Sequence, residues 1–151
     1  MNILFLCIGS EKISGDSLGP IVGTLLKEKY KLPYPVLGSE DYPVNGVNIS
    51  RYREYILSHF PTHKIIAIDA ALGDKKDVGN IKFRDGGVKA GGAVGVKNEP
   101  IGDLAILGVV GEKGSDCMQT LLDAPFEKVL TLAEKIADVI YEVFCPKCKA
   151  F

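Results

Sequence analysis

Three stretches of this chain have the pattern of buried strands. Ile3–Ile8 is an unbroken apolar run closed by Gly9. His63–Ala71 repeats the pattern as Lys64-Ile65-Ile66-Ala67-Ile68-Asp69, and Leu104–Val110 repeats it again. Runs without polar alternation belong to strands covered on both faces, the environment of a parallel sheet between helical layers. The intervening segments fit. A helical pattern carries Ile21, Val22, Leu25 and Leu26 on one face and extends to about Tyr30. Leu32–Gly38 holds two prolines and feeds a short second strand, and the loop Ser39–Val44 leads into a helix over about Val47–Phe60. Parallel strands need such crossovers. The expected fold is a three-layer α/β/α sandwich on a mostly parallel sheet.

The second half is less regular. Val78–Arg84 reads as a strand. Asp85–Val96 contains five glycines and reads as a loop shaped around a ligand. The closing helix repeats Phe126, Val129, Leu130, Ala133, Ile136, Ala137, Ile140 and Phe144 at helical spacing, with its cap expected at Asp123 or Ala124 and Pro125 in the first turn. We expect one α/β domain over residues 1–144 and a tail over 145–151. At 151 residues the chain can bury a core without disulfide or metal support.

Composition narrows the function classes. A net charge of −1 argues against nucleic acid or a membrane surface held by bulk electrostatics. No apolar run approaches the ~20 residues of a membrane span. With no targeting signal and only four cysteines, the expected location is the cytoplasm. Cys145-Pro146-Lys147-Cys148 is a lone C-x-x-C, without the second pair that a structural zinc requires. It reads as a tail, with a metal shared across a homo-oligomer or a terminal disulfide as the alternatives. Gly9 and Gly15 do not form a dinucleotide fingerprint, so no nucleotide cofactor is expected.

In open α/β sheets ligands sit beyond the carboxyl ends of the strands. Asp16 follows the first strand and Asp69 ends the third. If those strands are neighbours, the carboxylates share a cleft, and their repulsion should raise one pKa and lower the other, leaving an acid beside a base. The alternative is that Asp16 caps a helix and Asp69 closes a turn. Pro20 moves the cap to Ser17 or later and leaves Asp16 in the loop. Glu40, Asp41 and Lys97 are further substrate or metal candidates, with solvated surface charges as their ordinary role. His63 lies at the wrong end of its strand for this cleft, and both it and His59 read as structural or exposed.

Taken together, Cys7-Ile8-Gly9-Ser10, Ser14-Gly15-Asp16-Ser17-Leu18-Gly19-Pro20, Ile68-Asp69-Ala70-Ala71-Leu72-Gly73 and Val96-Lys97-Asn98-Glu99-Pro100-Ile101-Gly102-Asp103 resemble the YyaC family of sporulation proteins. The similarity runs to about Ile140. That family is similar in fold to the germination protease of spores and to the hydrogenase maturation proteases, both with a phosphorylase/hydrolase-like core. The resemblance implies that Asp16, before Leu18-Gly19-Pro20, and Asp69, before Ala70, match the essential aspartates of the germination protease. The same two positions match acidic nickel ligands of the maturation proteases, whose ligand histidine has no counterpart after Gly73. The expectation is a sporulation peptidase acting on a protein or peptide with an aspartate pair, requiring no cofactor. Two alternatives stay open: a regulatory or binding protein in a peptidase-like fold, and a divalent-metal hydrolase using Asp16, Asp69 and Glu40 or Asp41.

Overall fold

The computed structural model describes residues 2–91 and 98–146. Strands β1 (Ile3–Cys7), β2 (Val36–Leu37), β3 (Lys64–Gly73), β4 (Ile81–Asp85) and β5 (Leu104–Glu112) form one sheet in the order β2-β1-β3-β5-β4. β1, β2, β3 and β5 run parallel, and β4 alone is antiparallel, against β5. The fold is the expected α/β sandwich.

One face of the sheet packs Phe5, Cys7, Ile66, Ile68 and Ile106 against α1 (Leu18–Thr24) and α4 (Phe126–Phe144). The other packs Leu4, Leu6, Ala67 and Ala105 against α2 (Ile49–His59) and the bridged pair Val88 and Ile101. Both faces of β1 are covered and all five of its residues are buried, which is why its sequence shows no alternation.

Several boundaries differ from the sequence expectation. The first helix ends in a wider π turn, Leu25–Lys29. β3 runs four residues beyond Asp69, because β5 continues beside it after β1 has stopped. A short helix, α3 (Cys117–Asp123), was not anticipated. It buries only Leu121, too little for a helical period to show, although Asp116 caps it by accepting the Gln119 N–H at 3.1 Å. Because α3 ends at Asp123, the cap of α4 falls on Pro125 rather than on Asp123 or Ala124, and the helix begins at Phe126. No helix among the described residues is long and apolar enough to cross a membrane.

Candidate active site

β1 and β3 are neighbours, paired through Cys7 and Ile68, so Asp69 stands one residue beyond the last rung of β1. The chain leaving β1 turns across this opening. Gly9 passes so close to the Asp16 backbone that a Cβ there would lie 2.0 Å from its carbonyl oxygen. Gly19 likewise sits on Ile8, where a Cβ would meet the carbonyl oxygen at 2.0 Å. Only glycine permits both approaches. Asp16 is therefore folded back over the end of β1.

The Asp16 side chain does not cap α1. It lies in the 3-10 turn Gly15–Ser17, the N-cap is Ser17, and the carboxylate accepts the Ser10 N–H at 2.9 Å. Ser14 ties this turn to the unanticipated part of the fold, its hydroxyl donating to the Ala124 carbonyl at 2.6 Å. Leu121 of α3 packs beneath Gly15.

Asp16 and Asp69 line one cleft of about 390 Å³. Its walls include Leu107, Leu121, Arg84, Val88 and Lys89, so the glycine-rich segment after β4 does contribute. A second cavity of about 410 Å³, lined by Ser10, Glu11, Pro43 and Asn45, also reaches Asp16 and Gly91. Asp16 thus stands where two cavities meet.

Both carboxyls are harder to ionise than a free aspartate. Burial pushes Asp16 up to about 6, against the pull of the Ser10 N–H. Burial also raises Asp69 well above the carboxylate range, and the charge on Asp16 raises it further. The Ala70 N–H, 2.9 Å from the Asp69 carboxylate, and the Arg84 guanidinium act in the opposite direction. The expectation of one raised and one lowered pKa is corrected here: desolvation lifts both, and mutual repulsion separates them. The charge on Asp16, once formed, favours the protonated form of Asp69.

The other candidates are not gathered here. Glu40 and Asp41 are exposed and line neither cavity, although Pro43 and Asn45, further along the same segment after β2, line the second one. Lys97 and Cys148 lie outside the described residues. Cys145 is buried against the core. Burial pushes the Cys7 thiol up to about 12, so it is no nucleophile. His63 precedes β3 with a buried Nδ1 that has no partner among the described residues, and His59 stacks on Tyr55. Neither lines the cleft.

Arg84 is the participant that sequence reading missed. It leaves β4 on the same sheet face as Asp69 and donates to the Gly87 carbonyl at 2.9 Å. Its only linear signal is a charge inside the predicted strand Val78–Arg84, which reads as solvent-facing until β4 is known to flank β5.

No group of three His, Cys, Asp or Glu among the described residues can hold a metal ion. Residues 92–97 contain none of these types.

Among solved structures the fold is that of the hydrogenase maturation proteases. The chain is similar to HycI from Thermococcus kodakarensis, with TM-score 0.58 and 22% identity over 95% of this chain and 92% of the other. HybD from the same organism gives TM-score 0.54 and 19% identity over 95% and 99%. Peptidyl-tRNA hydrolase from Acinetobacter baumannii shares the architecture at TM-score 0.55 and 16% identity, over 91% and 83%. By sequence the chain belongs to the family described as "Protein of unknown function (DUF1256)", whose model matches residues 1–139. It is 34% identical over 139 residues to the uncharacterized protein YyaC of Bacillus subtilis (strain 168), covering 90% of this chain and spanning 66% of that relative's length.

Proposed function

We propose that this chain is a peptidase that hydrolyses a peptide bond in a protein substrate, with Asp16 and Asp69 as base and acid. The observation that carries the reading is the pair of half-buried carboxyls in one cleft, Asp16 raised to about 6 and Asp69 raised well above its ordinary value, in part by the charge on Asp16. Near neutral pH the pair holds one proton. Asp16 removes a proton from a water as its oxygen attacks the peptide carbonyl, and Asp69 gives its proton to the carbonyl oxygen. Arg84 stabilises the negative charge building there. The tetrahedral intermediate then breaks its C–N bond. The proton on Asp16 passes to the departing amine, and the carbonyl re-forms as the hydroxyl proton returns to Asp69. No step needs a metal.

The two cavities meeting at Asp16 are what a groove needs to hold peptide on both sides of a scissile bond. We take the setting to be the cytoplasm of sporulating cells, on the resemblance to the sporulation proteins. The test is incubation with a peptide library digested from a proteome, in water enriched in oxygen-18. New C-termini carrying the label are expected from the native chain and absent with D16N and D69N. Equal labelling by both variants would reject the mechanism.

A further inference from the structure

β4 is the last strand of the sheet, and among the described residues it pairs only with β5. The ladder shows which of its backbone groups are unused. Val109 donates to the Asn80 carbonyl and Gly86 donates to the Asp103 carbonyl, each at 3.0 Å. Antiparallel hydrogen bonding alternates, so Lys82, Arg84 and Gly86 turn their amides toward β5, while the Asn80 N–H is held by the Asp77 carbonyl at 2.9 Å. Ile81, Phe83 and Asp85 turn theirs outward.

The side chains on this edge are sorted by face. Lys82 is level with Leu107 and Asp69, and Arg84 with Ala105 and Ala67, so both cations lie on the cleft face. Phe83 points to the opposite face and is 60% exposed. A strand that is merely protected against pairing has no use for an exposed aromatic ring between its two cations.

We propose that the free edge of β4 docks an extended peptide segment with acidic residues at alternate positions and an apolar residue between them. Added as a sixth strand, such a segment bonds the outward amides of Ile81, Phe83 and Asp85. It sets one carboxylate beside Lys82 and its apolar residue beside Phe83, and the next carboxylate lies level with Arg84, whose guanidinium stays bonded to the Gly87 carbonyl in the cleft wall. Lys82 already reaches Asp77 at 3.1 Å, yet its side chain stays 48% exposed.

A second copy of this chain is the poorer occupant. Two β4 strands pairing antiparallel through their outward amides have three symmetric registers with appreciable overlap. Those registers set Lys82 against Lys82, Lys82 against Arg84, or Arg84 against Arg84. Like charges directly opposite destabilise a strand pair.

The inference rests on the peptidase reading for its purpose, and geometry fixes what that purpose is. A sixth strand lies three strand spacings from β3, about 14 Å. The docked segment is therefore not the scissile one, but lies at least about four residues along the substrate.

The probe is a fluorescent heptapeptide of alternating glutamate and valine, blocked at both ends. Its binding to the D69N chain is followed by fluorescence anisotropy, so docking is read without cleavage. We expect saturable binding that weakens at least tenfold with F83P, which removes an outward N–H but none of the ladder to β5. K82E should weaken it similarly. N-methylating the central valine should abolish binding, a result independent of how any variant folds. Amide exchange at Ile81, Phe83 and Asp85 should slow on binding. Equal binding of a lysine–valine heptapeptide, or no change in exchange at these three amides, would overturn the proposal. So would a dimer joined through β4 in sedimentation. Failure of docking beside intact cleavage by the native chain would remove this inference and leave the peptidase reading standing.

Discussion

The charge on Asp16 raises the proton affinity of Asp69, while the Ser10 N–H restrains Asp16 itself near 6. The rate of peptide cleavage should therefore rise with pH through about 6, as Asp16 becomes a base. It should fall at higher pH, where Asp69 gives up its proton. A profile of kcat/KM against pH reads both limbs of the pair. A rate independent of pH between 4.5 and 7 would contradict the assignment of Asp16.

The same shifts predict an unusual stability profile. Both folded-state pKa values lie above those of the unfolded chain, so between pH 4 and 6 the folded protein binds more protons than the unfolded one. Stability then falls as pH rises through this window, and falls further as Asp69 ionises. Removing the charge should help. D69N, whose amide oxygen still accepts the Ala70 N–H, should stabilise the fold at pH 8 and change it by almost nothing at pH 4. Urea denaturation at the two pH values checks it. Destabilisation at pH 8 would mean that the ionised carboxylate is favoured by the fold.

Arg84 is predicted to act on the charge that forms during the reaction. R84Q keeps a donor for the Gly87 carbonyl but removes the cation. Cleavage should drop about 10²-fold, in kcat more than in KM. The high-pH limb should move upward, because the cation that favours ionised Asp69 is gone. A change in KM alone would make Arg84 a substrate anchor.

G9A tests how Asp16 is positioned. The added methyl would lie 2.0 Å from the Asp16 carbonyl oxygen, so the loop must move. We expect a loss of roughly 1–3 kcal/mol of stability together with most of the activity. G114A is the control, since a Cβ there meets nothing within 4 Å.

Much of this architecture is legible in the chain because burial on both sides leaves its mark on composition. Ile3–Ile8 and Leu104–Val110 show themselves as strands for that reason, and Asp69 draws attention because a carboxylate should not end such a run. Two things escape. Helix α3 buries Leu121 alone, so no apolar repeat betrays it, although it backs the Asp16 turn. Arg84 joins the site only because β4 turns antiparallel beside β5, a choice made by tertiary pairing and not by the residues of β4. Glu40 and Asp41 mislead because they follow a strand as Asp16 does, but their side chains face solvent and it is Pro43 and Asn45 of the same segment that reach the Asp16 cavity.

The central claim is that Asp16 and Asp69 hold one proton between them at neutral pH. Carbon-13 titration of the aspartate carboxyl signals, assigned with D16N and D69N, measures it directly. The account predicts that Asp16 titrates with a midpoint near 6, that Asp69 remains protonated at pH 7, and that its midpoint falls in D16N. Two midpoints near the 3.8 of a free aspartate would contradict it.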